Sequence, residues 1–172
     1  YFDTIDLRIY KDSLINDIDK FKVRFRQYDK NKKITQEVKI NSSSGRYKLV
    51  ENTKYKSLNE IDSYTYRSLS LYPAVKISFH REYYFLGNAR VTIDTNLKSK
   101  INKFLNPTEP VYFSPKRIIE YKLKDSFSEE SNNLTKKLFI DDSLSIEDKL
   151  YKGSESFSKY TYSISKLIQN ND

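Results

Sequence analysis

The chain has 172 residues, 37% of them hydrophobic and 25 of them aromatic, enough for one folded domain with a real core; a disordered chain is disfavoured. With no Cys and a single His, disulfide scaffolds, thiolate metal sites and histidine-rich zinc or iron chemistry are excluded, and a Ser-His-Asp triad is disfavoured. A net charge of +8 makes an acidic partner plausible, and no apolar run approaches the roughly 18 residues a membrane helix needs.

The charge is local. Between Lys20 and Lys56, twelve bases stand against Asp29, Glu37 and Glu51, whereas residues 124–155 carry five Lys against eight acids. The opening Tyr1-Phe2-Asp3-Thr4 has no basic-then-apolar leader pattern, so cytoplasmic residence is expected, with membrane association only through a fused segment outside this chain. The absence of Met, with a start inside what reads as a strand, predicts that a segment upstream is missing.

Gly and Pro are scarce, at 3 and 4, so turns are expected from Asn, Asp, Ser and Lys clusters. Residues 21–28 alternate strictly, with Phe21, Val23 and Phe25 on one face and Lys22, Arg24, Arg26 and Tyr28 on the other. After the turn Asp29-Lys30-Asn31-Lys32-Lys33, residues 34–40 alternate again, with Ile34, Val38 and Ile40 opposite Thr35, Glu37 and Lys39. The pair reads as a β-hairpin whose charged faces coincide. Asn41-Ser42-Ser43-Ser44-Gly45 leads into a short basic strand at 46–50, and 58–69 has helical potential.

Residues 72–84 are β-branched and aromatic, Leu86-Gly87-Asn88 reads as a hairpin turn, and 89–95 place Arg90, Thr92 and Asp94 opposite Val91 and Ile93. A helical turn is expected at 98–104, an alternating strand at 117–123 with Glu120 and Lys122 on one face, and helix with breaks over 134–168. The predicted class is a β-dominated α+β fold of at least six antiparallel strands with a helical C-terminal end. Of only eight Arg, Arg24, Arg26, Arg81 and Arg90 sit in strand interiors, a use of Arg that suits bidentate recognition of phosphate or carboxylate. A closed antiparallel sheet with these residues turned inward makes a polar tunnel suited to a polyanion.

Seven segments in order resemble the VTC domain, the polyphosphate polymerase branch of the CYTH-like triphosphate tunnel enzymes: Tyr1-Phe2-Asp3-Thr4, Lys22-Val23-Arg24-Phe25-Arg26-Gln27-Tyr28, Glu37-Val38-Lys39, Phe79-His80-Arg81, Arg90-Val91-Thr92-Ile93-Asp94, Glu120-Tyr121-Lys122 and Ser158-Lys159-Tyr160. The resemblance implies a single CYTH-like domain over residues 1–172, lacking the family's first strand, and a closed antiparallel tunnel of about eight strands with flanking and C-terminal helices. It implies that Arg24, Arg26, Lys39, Arg81 and Arg90 line the wall and hold triphosphate or polyphosphate, the four arginines being catalytic. Lys22, Lys122 and Lys159 add phosphate-binding charge, and Glu120 binds a divalent metal, Mn2+ or Mg2+. Glu37 is a second candidate ligand, although an internal partner for Arg24 or Lys39 is favoured.

The implied activity is metal-dependent phosphoryl transfer, polyphosphate synthesis from ATP or another NTP; the alternatives are a non-catalytic polyphosphate-binding domain and a tunnel-type triphosphatase. Phosphoryl transfer asks for cations around the equatorial oxygens and a metal bridging phosphates, with little covalent participation from protein. No P-loop or Gly-rich kinase loop is present. Nucleic acid is not expected as a partner: single-strand binders place aromatics and cations on one face, whereas Phe21 and Phe25 lie opposite Arg24 and Arg26. His80 is expected to be exposed, and Asp94 is either a partner that orients Arg81 or Arg90 or a surface acid. Val75, Ile77 and Phe79 share the parity of Arg81, so either a bulge reorients Arg81 or one end of the site is apolar.

Overall fold

The structure, a computed structural model, describes residues 1–15, 19–28, 31–86, 89–103, 105–123 and 157–169. Ten strands and two α-helices account for most of them, in the order β1 (Phe2–Asp3), α1 (Arg8–Leu14), β2 (Lys20–Tyr28), β3 (Asn31–Ser42), β4 (Gly45–Asn52), β5 (Tyr64–Tyr66), β6 (Leu69–Pro73), β7 (Val75–Leu86), β8 (Ala89–Ile101), β9 (Val111–Phe113), β10 (Ile118–Leu123) and α2 (Lys159–Gln169). The residues fall into two compact units: Tyr1–Ser78 with Lys98–Phe113 and Ser158–Asp172, and Phe79–Leu97 with Ser114–Phe157. None of the described helices is long and apolar enough to cross a membrane.

In the first unit the predicted hairpin is present. β2 and β3 pair antiparallel, with Val23 facing Val38 and Arg24 facing Glu37, inside a six-stranded sheet ordered β4-β3-β2-β1-β6-β5. Alternation puts Val23, Phe25, Ile34 and Val38 into one buried cluster with Phe2, Ile9, Leu71 and the inner face of α2, Tyr160, Ile164 and Leu167. Fully burying side chains of this size stabilises by roughly 1.5–3 kcal/mol each. Phe25 is the aromatic hub, 4.8 Å from Phe2 and 5.7 Å from Tyr64 between ring centroids.

The Asp3 carboxylate, buried beneath α1, accepts the backbone N–H groups of Thr4, Ile9 and Tyr10 at 2.7, 2.8 and 2.9 Å. It also accepts the Tyr160 hydroxyl of α2. One acid thus satisfies donors that the start of α1 leaves open and ties both helices to β1. Burial, then the Asp3 charge, hold the Tyr160 phenol well above its ordinary pKa, so it remains a donor.

The serine-rich segment turns back where Ser42 pairs with Gly45, whose φ of +129° is open to Gly and rarely to other residues. The helix expected over 58–69 is corrected. Only a 3₁₀ turn at Leu58–Glu60 forms, capped by the Ser57 hydroxyl, and β5 and β6 then make a hairpin. Its two central residues, Arg67 and Ser68, both adopt positive φ, 47° and 61°, the geometry of the two-residue hairpin turn. Tyr64-Thr65-Tyr66 supplies the strand propensity, and tertiary pairing overrides the helical pattern.

β7, β8 and β10 lie in a second sheet in the order β10-β8-β7, with β9 on β8. β10 confirms the alternating strand expected at 117–123, and the Leu86-Gly87-Asn88 turn lies, from Gly87, outside the described residues. The helical turn expected at 98–104 is corrected: β8 continues to Ile101 because Lys98, Ser99 and Lys100 pair with Phe113, Tyr112 and Val111. Asn96, at φ 54°, marks a change of phase. Before it Thr92 and Asp94 are buried, and after it Leu97, Ser99 and Ile101 are, as a bulge residue produces. Of the helix expected over 134–168, residues 134–156 lie outside the described residues, and α2 occupies the end.

Candidate functional site

Register in the β2–β3–β4 ribbon decides which charges share a face. Lys20, Asn41 and Arg46 stand in one row, Lys22, Lys39 and Lys48 in the next, then Arg24, Glu37 and Val50, then Arg26, Thr35 and Asn52. Seven cations therefore share a face with one carboxylate, and three lysines stand directly opposite one another across three strands. Such like-charge neighbours cost stability.

Glu37 is the internal partner, as the sequence favours, and its side chain is only 5% exposed. It accepts Arg24 Nε at 2.6 Å, pairs with Arg24 Nη2 through the same oxygen, and presents its other oxygen to Lys48 Nζ at 3.0 Å and Arg26 Nη1 at 3.9 Å. Burial alone works to raise its pKa, but Arg24 and Lys48 prevail and hold it below the ordinary carboxylate value. Arg24 also donates to the Tyr1 hydroxyl at 3.0 Å, and Arg26 lies 4.1 Å from the Tyr28 ring centroid. Both arginine side chains are partly buried, at 17% and 18% exposure. Lys39 is exposed at the surface of the same face.

Lys22 donates to the Ser158 hydroxyl at 2.8 Å, and burial, then the neighbouring charge of Lys20, lower its pKa. Ser158 also receives the Thr161 N–H at 3.3 Å, capping α2, so Lys22 meets the helix start where Lys159 follows. A cation in a helix's first turn opposes the backbone dipole, one more positive charge placed against local preference.

A second cluster lies wholly in the other unit. Arg81 grips Asp94 with two bonds, Nε to Oδ1 at 2.5 Å and Nη2 to Oδ2 at 2.6 Å, and Asp94 is 1% exposed. Asp94 is thus a buried partner of Arg81 and no surface acid. The bidentate bond raises the Arg81 pKa, fixing its charge. Glu120 Oε2 lies 3.8 Å from Arg81 Nη2, and its Oε1 lies 3.3 Å from Lys122 Nζ. Register places Lys122 opposite an exposed Arg90, and Glu120 opposite Thr92.

Along β7, Lys76, Ser78, His80 and Glu82 are exposed while Val75, Ile77, Phe79 and Arg81 are more buried, so no parity change reorients Arg81. Its guanidinium lies 5.3 Å from the Phe79 ring centroid, and this end of the site is aromatic. His80 is exposed, as expected.

The sequence-named residues therefore collect into two groups, Lys22, Arg24, Arg26, Glu37, Lys39 and Lys159 in one unit and Arg81, Arg90, Glu120 and Lys122 in the other. Lys48, Ser158 and the Tyr1 hydroxyl join the cluster without a motif of their own; for Lys48 the strand register, which pairs it with Lys39, is the signal that finds it.

A divalent cation fits only part of this arrangement. Among the described residues no three His, Cys, Asp or Glu side chains cluster as a cage would require. A hard cation held by one or two carboxylates together with substrate phosphates needs less. Glu120, 43% exposed between two cations that themselves suit phosphate, meets that need, whereas Glu37 is already enclosed by Arg24, Arg26 and Lys48.

These features define a β-dominated domain that turns clustered cations onto its sheet faces, a class suited to polyanions. The VTC domain family model matches residues 47–168, and the chain belongs to that family. The match covers Lys48, Arg81, Arg90, Glu120, Lys122 and Lys159, while Lys22, Arg24, Arg26, Glu37 and Lys39 precede it. No curated protein and no solved structure matches the chain significantly. Membership is consistent with a polyphosphate-related function.

Proposed function

We propose that this chain carries out metal-dependent phosphoryl transfer on triphosphates, extending polyphosphate from ATP or another NTP inside a closed β tunnel. The observation that carries the reading is the row of Lys22, Lys39 and Lys48 beside Arg24 and Arg26, on a face with one carboxylate. A fold accepts opposed like charges where a polyanion offsets them. Phe21 and Phe25 of β2 pack in or against the core behind this face, which favours phosphate over bases.

In the proposed step a terminal oxygen of the growing chain attacks the γ-phosphorus of the nucleotide. One P–O bond forms, the β–γ bridging P–O bond breaks, and nucleoside diphosphate leaves with the electron pair. Lys22, Arg24, Arg26, Lys39 and Lys48 hold non-bridging oxygens, and the sharing of Glu37 among cations keeps Arg24 and Arg26 extended. Arg81, locked by Asp94, with Arg90 and Lys122, stabilises charge on phosphate oxygens, and Lys159 adds to the field. Glu120 would hold Mn2+ or Mg2+, which supplies charge neutralisation between phosphates when bound. Cytoplasmic residence, where nucleotides are plentiful, belongs to the same reading and is checked by fractionation.

Incubating the protein with ATP and Mn2+ tests the function. Long-chain phosphate polymer is the expected product; free phosphate identifies the triphosphatase alternative, and unchanged ATP with retained tripolyphosphate binding identifies a binding domain.

A further inference from the structure

On β8, Thr92 is 2% exposed, and its hydroxyl is the one buried side-chain polar atom without a hydrogen-bond partner among the described residues. An unsatisfied buried hydroxyl costs free energy that the near-isosteric Val would not, so packing alone does not account for Thr. Three facts describe its surroundings. Thr92 shares a strand face with Arg90 and Asp94; both oxygens of Asp94 already receive Arg81; and Glu120 on β10 stands directly opposite Thr92 in register. Directly opposed residues bring their Cβ atoms within about 5 Å, close enough for a glutamate to fold back onto a threonine hydroxyl. In the structure the Glu120 carboxylate lies instead against Lys122 and Arg81.

We propose that Thr92 is a positioning residue for Glu120. When phosphate draws Lys122 away, the Thr92 hydroxyl donates to one Glu120 oxygen and directs the other toward the divalent cation. This rests on the reading of Glu120 as the metal-holding carboxylate. The hydroxyl is thus left without a partner until ligand arrives, and the structural cost is recovered as metal affinity.

The test uses the whole chain with Thr92→Val and Thr92→Ser, measuring thermal melts without ligand and calorimetric titration of Mn2+ into protein saturated with tripolyphosphate. Thr92→Val is expected to melt at or above the temperature of the unsubstituted protein yet bind Mn2+ about tenfold more weakly, the scale seen when a group orienting a metal ligand is lost. Thr92→Ser, which keeps the hydroxyl, is expected to restore most of that affinity. Unchanged Mn2+ affinity in Thr92→Val overturns the proposal alone, as does failure of that variant to fold, since the hydroxyl would then have a structural role. An unsubstituted protein that takes up no Mn2+ beside tripolyphosphate overturns the metal reading of Glu120 and this inference with it.

Discussion

The β2–β3–β4 face and the β7–β8–β10 face use one device, an arginine held by a buried carboxylate 13 residues further along on the adjacent strand: Arg24 with Glu37, and Arg81 with Asp94. They differ in what supports it. Behind Arg24 lies a cluster of fully buried apolar side chains, so charge crowding on the front is carried by packing on the back. In the other unit Tyr83, Tyr84, Phe85 and Ile119 are exposed, and the bidentate Arg81–Asp94 pair takes a larger share in holding the strands together. A cationic face of seven residues is therefore affordable where an apolar back exists.

The sharpest way to break this contrast is to remove apolar volume from each unit. Phe25→Ala should cost about 3–5 kcal/mol in denaturant unfolding, whereas Ile119→Ala, at an exposed position, should fall within about 0.5 kcal/mol of the unsubstituted protein. Equal losses would refute the asymmetry. Asp94→Asn should come next, at about 2–3 kcal/mol, below the roughly 3–5 kcal/mol of a fully buried pair because Arg81 keeps some contact with water. Limited proteolysis is expected to show this loss first within residues 79–97, and cleavage beginning in β2 would contradict it.

A smaller effect separates the acids by pH. Arg24 and Lys48 hold the folded Glu37 below its ordinary pKa of 4.5, so the folded state binds fewer protons than the unfolded chain near that value. The stability this contributes is complete above pH 4.5 and is lost as pH falls through the lower folded pKa. Glu37→Gln should flatten that part of the stability curve, as read by thermal melts across the acid range, and an unaltered slope would show that Glu37 carries none of it.

Legibility in the sequence followed side-chain alternation. Strict period two at 21–28 and 34–40 exposed both the hairpin and its cationic face, because a strand's faces are fixed by parity. Strand geometry set by unusual backbone was hidden: Arg67 and Ser68 take positive φ without Gly or Asn, so the β5–β6 hairpin read as helix, and Asn96 shifts the phase of β8. Lys48 and Glu120 acquire their neighbours through register, which no single strand displays. Thr92 looked like one polar residue of an alternating strand until burial set it apart.

The central claim, that the even-numbered face of β2 binds phosphate while its odd-numbered face holds the fold, is met most directly by titrating tripolyphosphate calorimetrically into the unsubstituted protein and into Arg24→Ala and Arg26→Ala. Each substitution is expected to weaken binding by about 1.5–3 kcal/mol, the worth of a charge-assisted contact, which is roughly 10- to 150-fold in affinity. Unchanged affinity in both variants, with both still folded, would contradict the assignment of this face.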